Sequence, residues 1–145
     1  MRMGQPLAAV TLILLAISAG PAVAQSGKSD KPGGVYRLKP GIYVQKGADC
    51  GSPPNAAIRQ YDGLGISDPH SRECRARVLA RKGNRYTVSQ SCIDAGAGPA
   101  PRVTQRQEVT VPDALTFTLR TRGPASSYRY CPVRMLPADL RKYAR

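Results

Sequence analysis

Three kinds of residue in this chain carry chemistry worth placing: four cysteines, one histidine, and 22 lysines and arginines set against 9 acids. The cysteines are Cys50, Cys74, Cys92 and Cys131, at separations of 24, 18 and 39 residues. Structural metal sites draw cysteines in close pairs, usually with histidines, so this spacing and a single histidine argue against zinc. No C-x-x-C occurs, which removes the usual redox motif. An even number of cysteines in an exported chain points instead to two disulfides. Nothing here calls for a cofactor.

The histidine, His70, lies in Asp68-Pro69-His70-Ser71. Ser, His and Asp crowded into one tetrapeptide cannot adopt triad geometry by themselves, because triads are assembled from distant segments. A turn accounts for these residues more simply. A hydrolase in which His70 takes a carboxylate or hydroxyl partner from elsewhere is the competing reading. Asp49, Asp62, Glu73, Asp94, Glu108, Asp113 and Asp139 supply carboxylates, but no pattern selects two of them as a glycosidase pair. A phosphate-cradling glycine loop, a His-Glu-x-x-His helix and a nucleophile elbow are all absent from the sequence. The chain therefore reads as non-enzymatic.

Charge is the stronger signal. The formal net charge is +13. A surplus of that size favours anionic partners such as lipid head groups, polyanionic glycans or nucleic acid, although dispersed charge also suits a merely solvated surface. Arg75, Arg77, Arg81 and Arg85 fall on the outward positions of one hairpin, and Arg102, Arg106, Arg120 and Arg129 on outward positions of later strands. Together they would make one basic sheet face suited to phosphate or carboxylate groups. Aromatic residues do not interleave with them as stacking on bases requires, and an exported protein meets little nucleic acid, so that partner is demoted. Anionic lipid or envelope glycan is the expected partner.

Export itself is read from the first residues. Met1 to Ala24 has a basic start at Arg2, an apolar segment from Leu7 to Ala19, a Gly20-Pro21 break and a small-x-small Ala22-Val23-Ala24. That pattern is a cleavable signal, and the apolar segment is shorter than the about 20 residues a bilayer span needs. No later stretch approaches that length, so no transmembrane segment is expected after cleavage. Removal of 1–24 leaves 121 residues, one domain's worth, with 21 basic residues against 9 acids and a charge of +12. The expected location is the periplasm or the extracellular space. Residues 25–34 (QSGKSDKPGG) have almost nothing to bury and read as a flexible leader. Residues 35–145 form the expected single domain.

The elements that position these groups are strands. Glu73 to Ile93 is the best-defined: Cys74, Ala76, Val78 and Ala80 alternate with charged neighbours, and Tyr86, Val88, Gln90 and Cys92 alternate with polar ones. A three-residue loop, Lys82-Gly83-Asn84, keeps both apolar faces on one side, setting Ala80 against Tyr86, Val78 against Val88 and Cys74 against Cys92. Val35 to Gln45 reads as one strand or as two bent at Pro40-Gly41. Ile58 to Tyr61 with Leu64 to Ser67, Arg102 to Val111, Leu115 to Leu119 and Ser127 to Val133 supply the rest, and Pro137 to Arg145 a helical turn or two with Leu136, Leu140 and Tyr143 on its apolar side. Six to eight short strands with regular turn signals fit an all-β antiparallel meander forming a small barrel or sandwich. In a meander that closes on itself the first and last strands meet, which favours Cys74–Cys92 with Cys50–Cys131; Cys50–Cys74 with Cys92–Cys131 is the alternative.

The layout resembles a group of small, uncharacterised four-cysteine periplasmic or secreted proteins of Gram-negative bacteria. The shared features are Gly41-Ile42-Tyr43, Cys50 in the following loop, the Ile58 strand running into Asp62-Gly63, the Cys74 and Cys92 hairpin, and a closing Tyr128-Arg129-Tyr130-Cys131. The resemblance covers roughly Gly41 to Cys131. It implies a periplasmic β-domain and carries over no catalytic residue. Periplasmic lysozyme inhibitors share the size and β character, but a partner of a basic enzyme is expected to be acidic or neutral, which this chain is not.

Overall fold

The computed structural model describes Met1, residues 32–95 and residues 97–144. The expected signal after Met1 and the leader up to residue 31 lie outside the described residues. Eight strands are present: β1 Gly41–Gln45, β2 Ile58–Tyr61, β3 Ile66–Ser67, β4 Arg72–Lys82, β5 Arg85–Ile93, β6 Arg102–Asp113, β7 Thr116–Arg120 and β8 Ser126–Tyr130. All pairings are antiparallel and the sheet order is β3-β2-β1-β8-β7-β6-β5-β4. The sheet curls into a nearly closed barrel. First and last strands do meet, through Tyr43↔Tyr130 and Val44↔Arg129. The two ends of the sheet are β3 and β4, which are consecutive in the chain.

That leaves one seam. Strand β3 has only two residues and does not ladder with β4. Two devices bring the edges together. Ala76 N–H donates to the Leu64 carbonyl at 2.8 Å. From the inner face of β5, the buried Gln90 side chain spans to β3, its Oε1 accepting from Ile66 N–H at 2.9 Å and its Nε2 donating to the Ile66 carbonyl at 2.8 Å. The amide thus stands in for a missing strand, satisfying both backbone groups of Ile66 where water is excluded. Gly65 permits the approach: a Cβ there would sit 2.6 Å from the Cys74 carbonyl oxygen.

The central hairpin corrects one expectation. The loop is two residues, Gly83-Asn84, with Arg81↔Tyr86 and Lys82↔Arg85 flanking it. Gly83 has φ +58°, while Asn84 does not take the left-handed conformation. Positive φ at the first loop residue is where a II′ turn uses glycine. The parity conflict that a two-residue loop creates is absorbed by a β-bulge: Val78 faces Val88 as expected, Ala80 faces Thr87, and Leu79 is the extra residue. Below the bulge the faces swap, so Arg81 joins Tyr86 on the inner side. A second bulge at Glu73 (φ +50°) lies beside the Cys74–Cys92 disulfide.

The expected strand over Val35 to Lys39 is likewise corrected. Gly33 to Leu38 is a tight turn, closed by Gly33 N–H to the Leu38 carbonyl and held to the barrel by Val35 N–H to the Gly63 carbonyl. It drives Tyr36 and Leu38 fully into one end of the barrel, like a cork. The main core is therefore aromatic, with Tyr36, Tyr43, Tyr61, Tyr86, Phe117 and Tyr128 packed around Val88, Val109 and Val111. Burial of large rings compensates for the small number of aliphatic residues.

A second, smaller core lies on the outer face of β1 and β2. Ile42, Val44 and Ile58 are covered by Leu136 and Ala144 of the C-terminal segment, with Cys50 and Cys131 among them. The helix there is one turn, Ala138–Arg141; Leu140 is half-buried, while Tyr143 is exposed instead of lining the apolar side. Cys50–Cys131 and Cys74–Cys92 are both formed. Two disulfides suit an oxidising, exported environment.

Replacing Gln90 by Leu strands the Ile66 N–H and carbonyl in the core and should cost about 2–4 kcal/mol, read as a lower urea midpoint. Gly65→Ala should destabilise too, since the Cys74 backbone has to shift. For the disulfides, loop-closure entropy ranks the 81-residue Cys50–Cys131 link above the 18-residue Cys74–Cys92 link. Paired Cys→Ser replacements should cost about 4.5 and about 3 kcal/mol respectively in denaturant unfolding.

Candidate functional site

The strand registers give the barrel two distinct ends. At one end lie the β4–β5 turn, the β6–β7 turn, the turn after β2 and the cork, tied together by Val111 N–H to the Asn84 carbonyl, Lys39 N–H to the Ala114 carbonyl and Val35 N–H to the Gly63 carbonyl. At the other end β5 finishes at Ile93, β6 begins at Arg102, and Thr121 and Arg122 follow β7.

The corked end is basic. Arg37 sits on the cork with φ +57°, Lys39 follows it, and the β4–β5 hairpin adds Arg81, Lys82 and Arg85. Beneath them the Tyr36 ring meets Tyr61 at 5.8 Å and Tyr86 edge-on at 5.5 Å. Arg81 lies over the Tyr86 ring at 4.9 Å while its Nε donates to the Gly83 carbonyl at 2.9 Å. Lys39 lies over Tyr130 at 4.7 Å. Cations stacked on rings keep their charge while their stems cover apolar surface. Two acids share this end, Asp62 and Asp113, and both are engaged within turns. Asp62 accepts from the Leu64 and Gly65 N–H groups. Asp113 accepts from the Thr116 hydroxyl and Leu115 N–H, and the Thr116 bond above all holds its carboxyl below the usual range. Among the described residues the ion pairs are Arg72–Glu73, Arg102–Glu73 and Arg120–Glu108, none of them at this end.

The same end presents apolar side chains to solvent. Leu64 is 49% exposed after β2, Leu115 47% in the β6–β7 turn, and Leu79 at the hairpin bulge 42%. Leucines exposed on two turns and at a strand bulge point in a direction that no interior packing uses.

The eight arginines expected to share one face divide into several settings. Arg75, Arg77 and Arg106 stay on the outer face of β4 to β6, with Arg77 and Arg106 flanking Ser89 across the register, and are exposed. Arg85 and the inward-turned Arg81 belong to the corked end. Arg102 donates to the Glu73 carbonyl at 2.9 Å and pairs with the Glu73 carboxylate, and Arg120 pairs with Glu108. Arg129 reaches the Ala48 carbonyl at 2.8 Å and Cys50 Sγ at 3.1 Å, pinning the Cys50 loop. Arg102, Arg120 and Arg129 thus serve the fold. Arg37, Lys39 and Lys82 were not singled out by pattern, since only the meeting of separate turns gathers them.

His70 stands exposed on the β3–β4 turn. Asp68 accepts from the His70 and Ser71 N–H groups at 2.9 Å, and the Ser71 hydroxyl accepts from Asp68 N–H at 3.0 Å. The three residues form a turn. Among the described residues no three or more His, Cys, Asp or Glu side chains gather as for a metal ion. The chain matches no family model, no curated protein and no solved structure.

Burial raises the Tyr36 and Tyr43 hydroxyls well above their ordinary value of 10.0 and raises that of Tyr61 too. Folding therefore favours their neutral forms. That stability is fully present below pH 10 and drains away as pH rises above it, because the unfolded phenols ionise first. In a spectrophotometric titration Tyr36 and Tyr43 should ionise only as the protein unfolds, and stability should fall steadily above about pH 10.

Proposed function

We propose that this is an exported, non-enzymatic binding domain that docks the corked end of its barrel on an anionic phospholipid surface. One observation carries the reading: Arg37, Lys39, Arg81, Lys82 and Arg85 share one end of the barrel with the exposed Leu64, Leu79 and Leu115. Cations alone suit any polyanion. Leucines projecting among them favour a partner that offers hydrocarbon just beneath its charge, and a phospholipid bilayer does so where a soluble glycan does not. Among the described residues no helix is long and apolar enough to cross a membrane, and the proposed contact is peripheral.

Export rests on the Met1 to Ala24 pattern together with the two disulfides. Asp68 and Ser71 serve the turn that exposes His70, and the hydrogen bonds of that turn use the His70 backbone rather than its ring.

The test is sedimentation with vesicles of phosphatidylcholine, with and without phosphatidylglycerol, across a salt series. Wild type should bind the anionic vesicles alone and lose affinity as salt rises. Each basic residue near the surface contributes about 1 kcal/mol, so an Arg81→Gln/Lys82→Gln/Arg85→Gln variant should bind on the order of a hundredfold more weakly. Leu79→Ser/Leu115→Ser should also weaken binding while leaving the salt slope unchanged. Equal binding by wild type and the charge variant, or binding to a soluble sulfated glycan but not to vesicles, overturns the proposal.

A further inference from the structure

Strand β4 is eleven residues long, but the seam contacts reach along it only as far as Ala76, whose N–H bonds the Leu64 carbonyl. From Arg77 to Arg85 every residue is exposed, although β5 alongside buries Tyr86 and Val88. Val78 shows the gap best. It lies on the inner side of the sheet opposite the fully buried Val88, yet it is 42% exposed. Leu64, across the seam, is exposed as well. An inner-face valine and a leucine thus flank an uncovered length of the seam.

The backbone of this stretch is unpaired on one side. In an antiparallel ladder, successive residues alternate between facing the partner strand and facing away. Ala76 N–H faces away from β5, because it bonds Leu64, so the Val78 N–H and carbonyl face away too. Beyond the bulge, Lys82 and Arg85 close the two-residue turn as a hydrogen-bonded pair, which directs the Arg81 N–H and carbonyl outward. Among the described residues none of these four groups has a backbone partner across the seam. Free edge groups of this kind are a template for a further strand.

Charge decides which strand fits. Arg75 and Arg77 stand on the outer face, Arg81 and Lys82 follow, and the one acid on β4, Glu73, is already paired with Arg72 and Arg102. Cations on an edge keep a second copy of this chain away, since β4-to-β4 pairing would set the arginines of two copies against one another. The same cations attract an extended segment whose outward side chains are carboxylates. Its inward side chains, on the alternate positions, meet Val78 and Leu64 and so are apolar.

We infer that the exposed edge of β4 binds an extended acidic segment of another protein, added as a further strand with carboxylates toward Arg75 and Arg77 and apolar side chains toward Val78. Arg75, Arg77 and Val78 take no part in the proposed lipid docking, and the inference does not rest on it.

Fluorescence anisotropy of the disulfide-bonded protein with a capped, dye-labelled peptide of three Glu-Val repeats tests the inference. The peptide should bind, and a Lys-Val peptide of equal length should bind at least about tenfold more weakly. In a strand the glutamate amides face one way and the valine amides the other, so N-methylating one set should abolish binding while N-methylating the other leaves most of it. Val78→Pro removes one outward N–H without touching the β5 ladder and should weaken binding about tenfold. Arg75→Glu/Arg77→Glu, at exposed positions, should weaken Glu-Val binding at least about tenfold and strengthen Lys-Val binding; it carries the test should the proline variant not fold. Absence of Glu-Val binding overturns the inference, as does an equal effect of methylating either set, which marks contact by charge alone. A wild-type protein that is dimeric, and becomes monomeric as Val78→Pro, assigns the edge to a second copy and overturns it as well.

Discussion

Pairing of the first strand with the last leaves β3 and β4 as the free edges of the sheet, and here everything depends on how a two-residue strand is joined to an eleven-residue one. Backbone ladders cannot span the β3–β4 seam, because β3 is too short to offer more than a pair of groups. The chain solves this with a side chain. Gln90 is the residue whose amide has the same donor and acceptor as a peptide, and from the inner face of β5 it reaches Ile66 as a strand would. A glycine at 65 lets the edges approach, and the Leu64 carbonyl takes the Ala76 N–H. The Cys74–Cys92 link then holds the edge strand to its neighbour beside the same seam. Without these contacts the edge of β4 would be an open template for another strand.

The second disulfide acts on a different layer. β1 and β2 are buried on both faces, unlike the other strands, because the C-terminal segment folds back over Ile42, Val44 and Ile58. Cys50–Cys131 ties the loop after β1 to the end of β8, and Arg129 adds bonds to Ala48 and Cys50 from the outer side of β8. An arginine that is outward by parity is thereby absorbed into structure. Surface position and availability to a ligand are separate properties, and hydrogen-bond accounting distinguishes them.

Strand alternation made most of β4 to β8, the barrel class and the favoured disulfide pairing legible, because period-2 burial follows directly from the pleat. Cys131 shares the parity of Arg129, and it packs with the outer cluster. The bulge at Leu79 left no such mark: one inserted residue in an Arg-Val-Leu-Ala-Arg run changes neither composition nor propensity, yet it turns Arg81 inward. Tyr36 and Leu38 look like a strand pair at spacing two, and only the positive φ of Gly34 and Arg37 turns them into a cork. Gln90, Gln105 and Gln107 did carry a signal. A polar side chain at an inward strand position is a question about its partner, and three of them toward one end of the barrel describe a polar mouth.

The gathering of cations at one end, rather than on the sheet face, follows from the same geometry. On a small barrel the outer face is convex, so arginines at outward positions diverge from one another and present isolated charges; Arg75, Arg77 and Arg106 sit over a carpet of Ser89, Ser91 and Thr104 in that way. Turns at a barrel end converge instead. Three turns far apart in sequence meet around the cork, bringing their cations together, while a cavity lies at the opposite end. In the proposed docking, the open end is directed away from the surface.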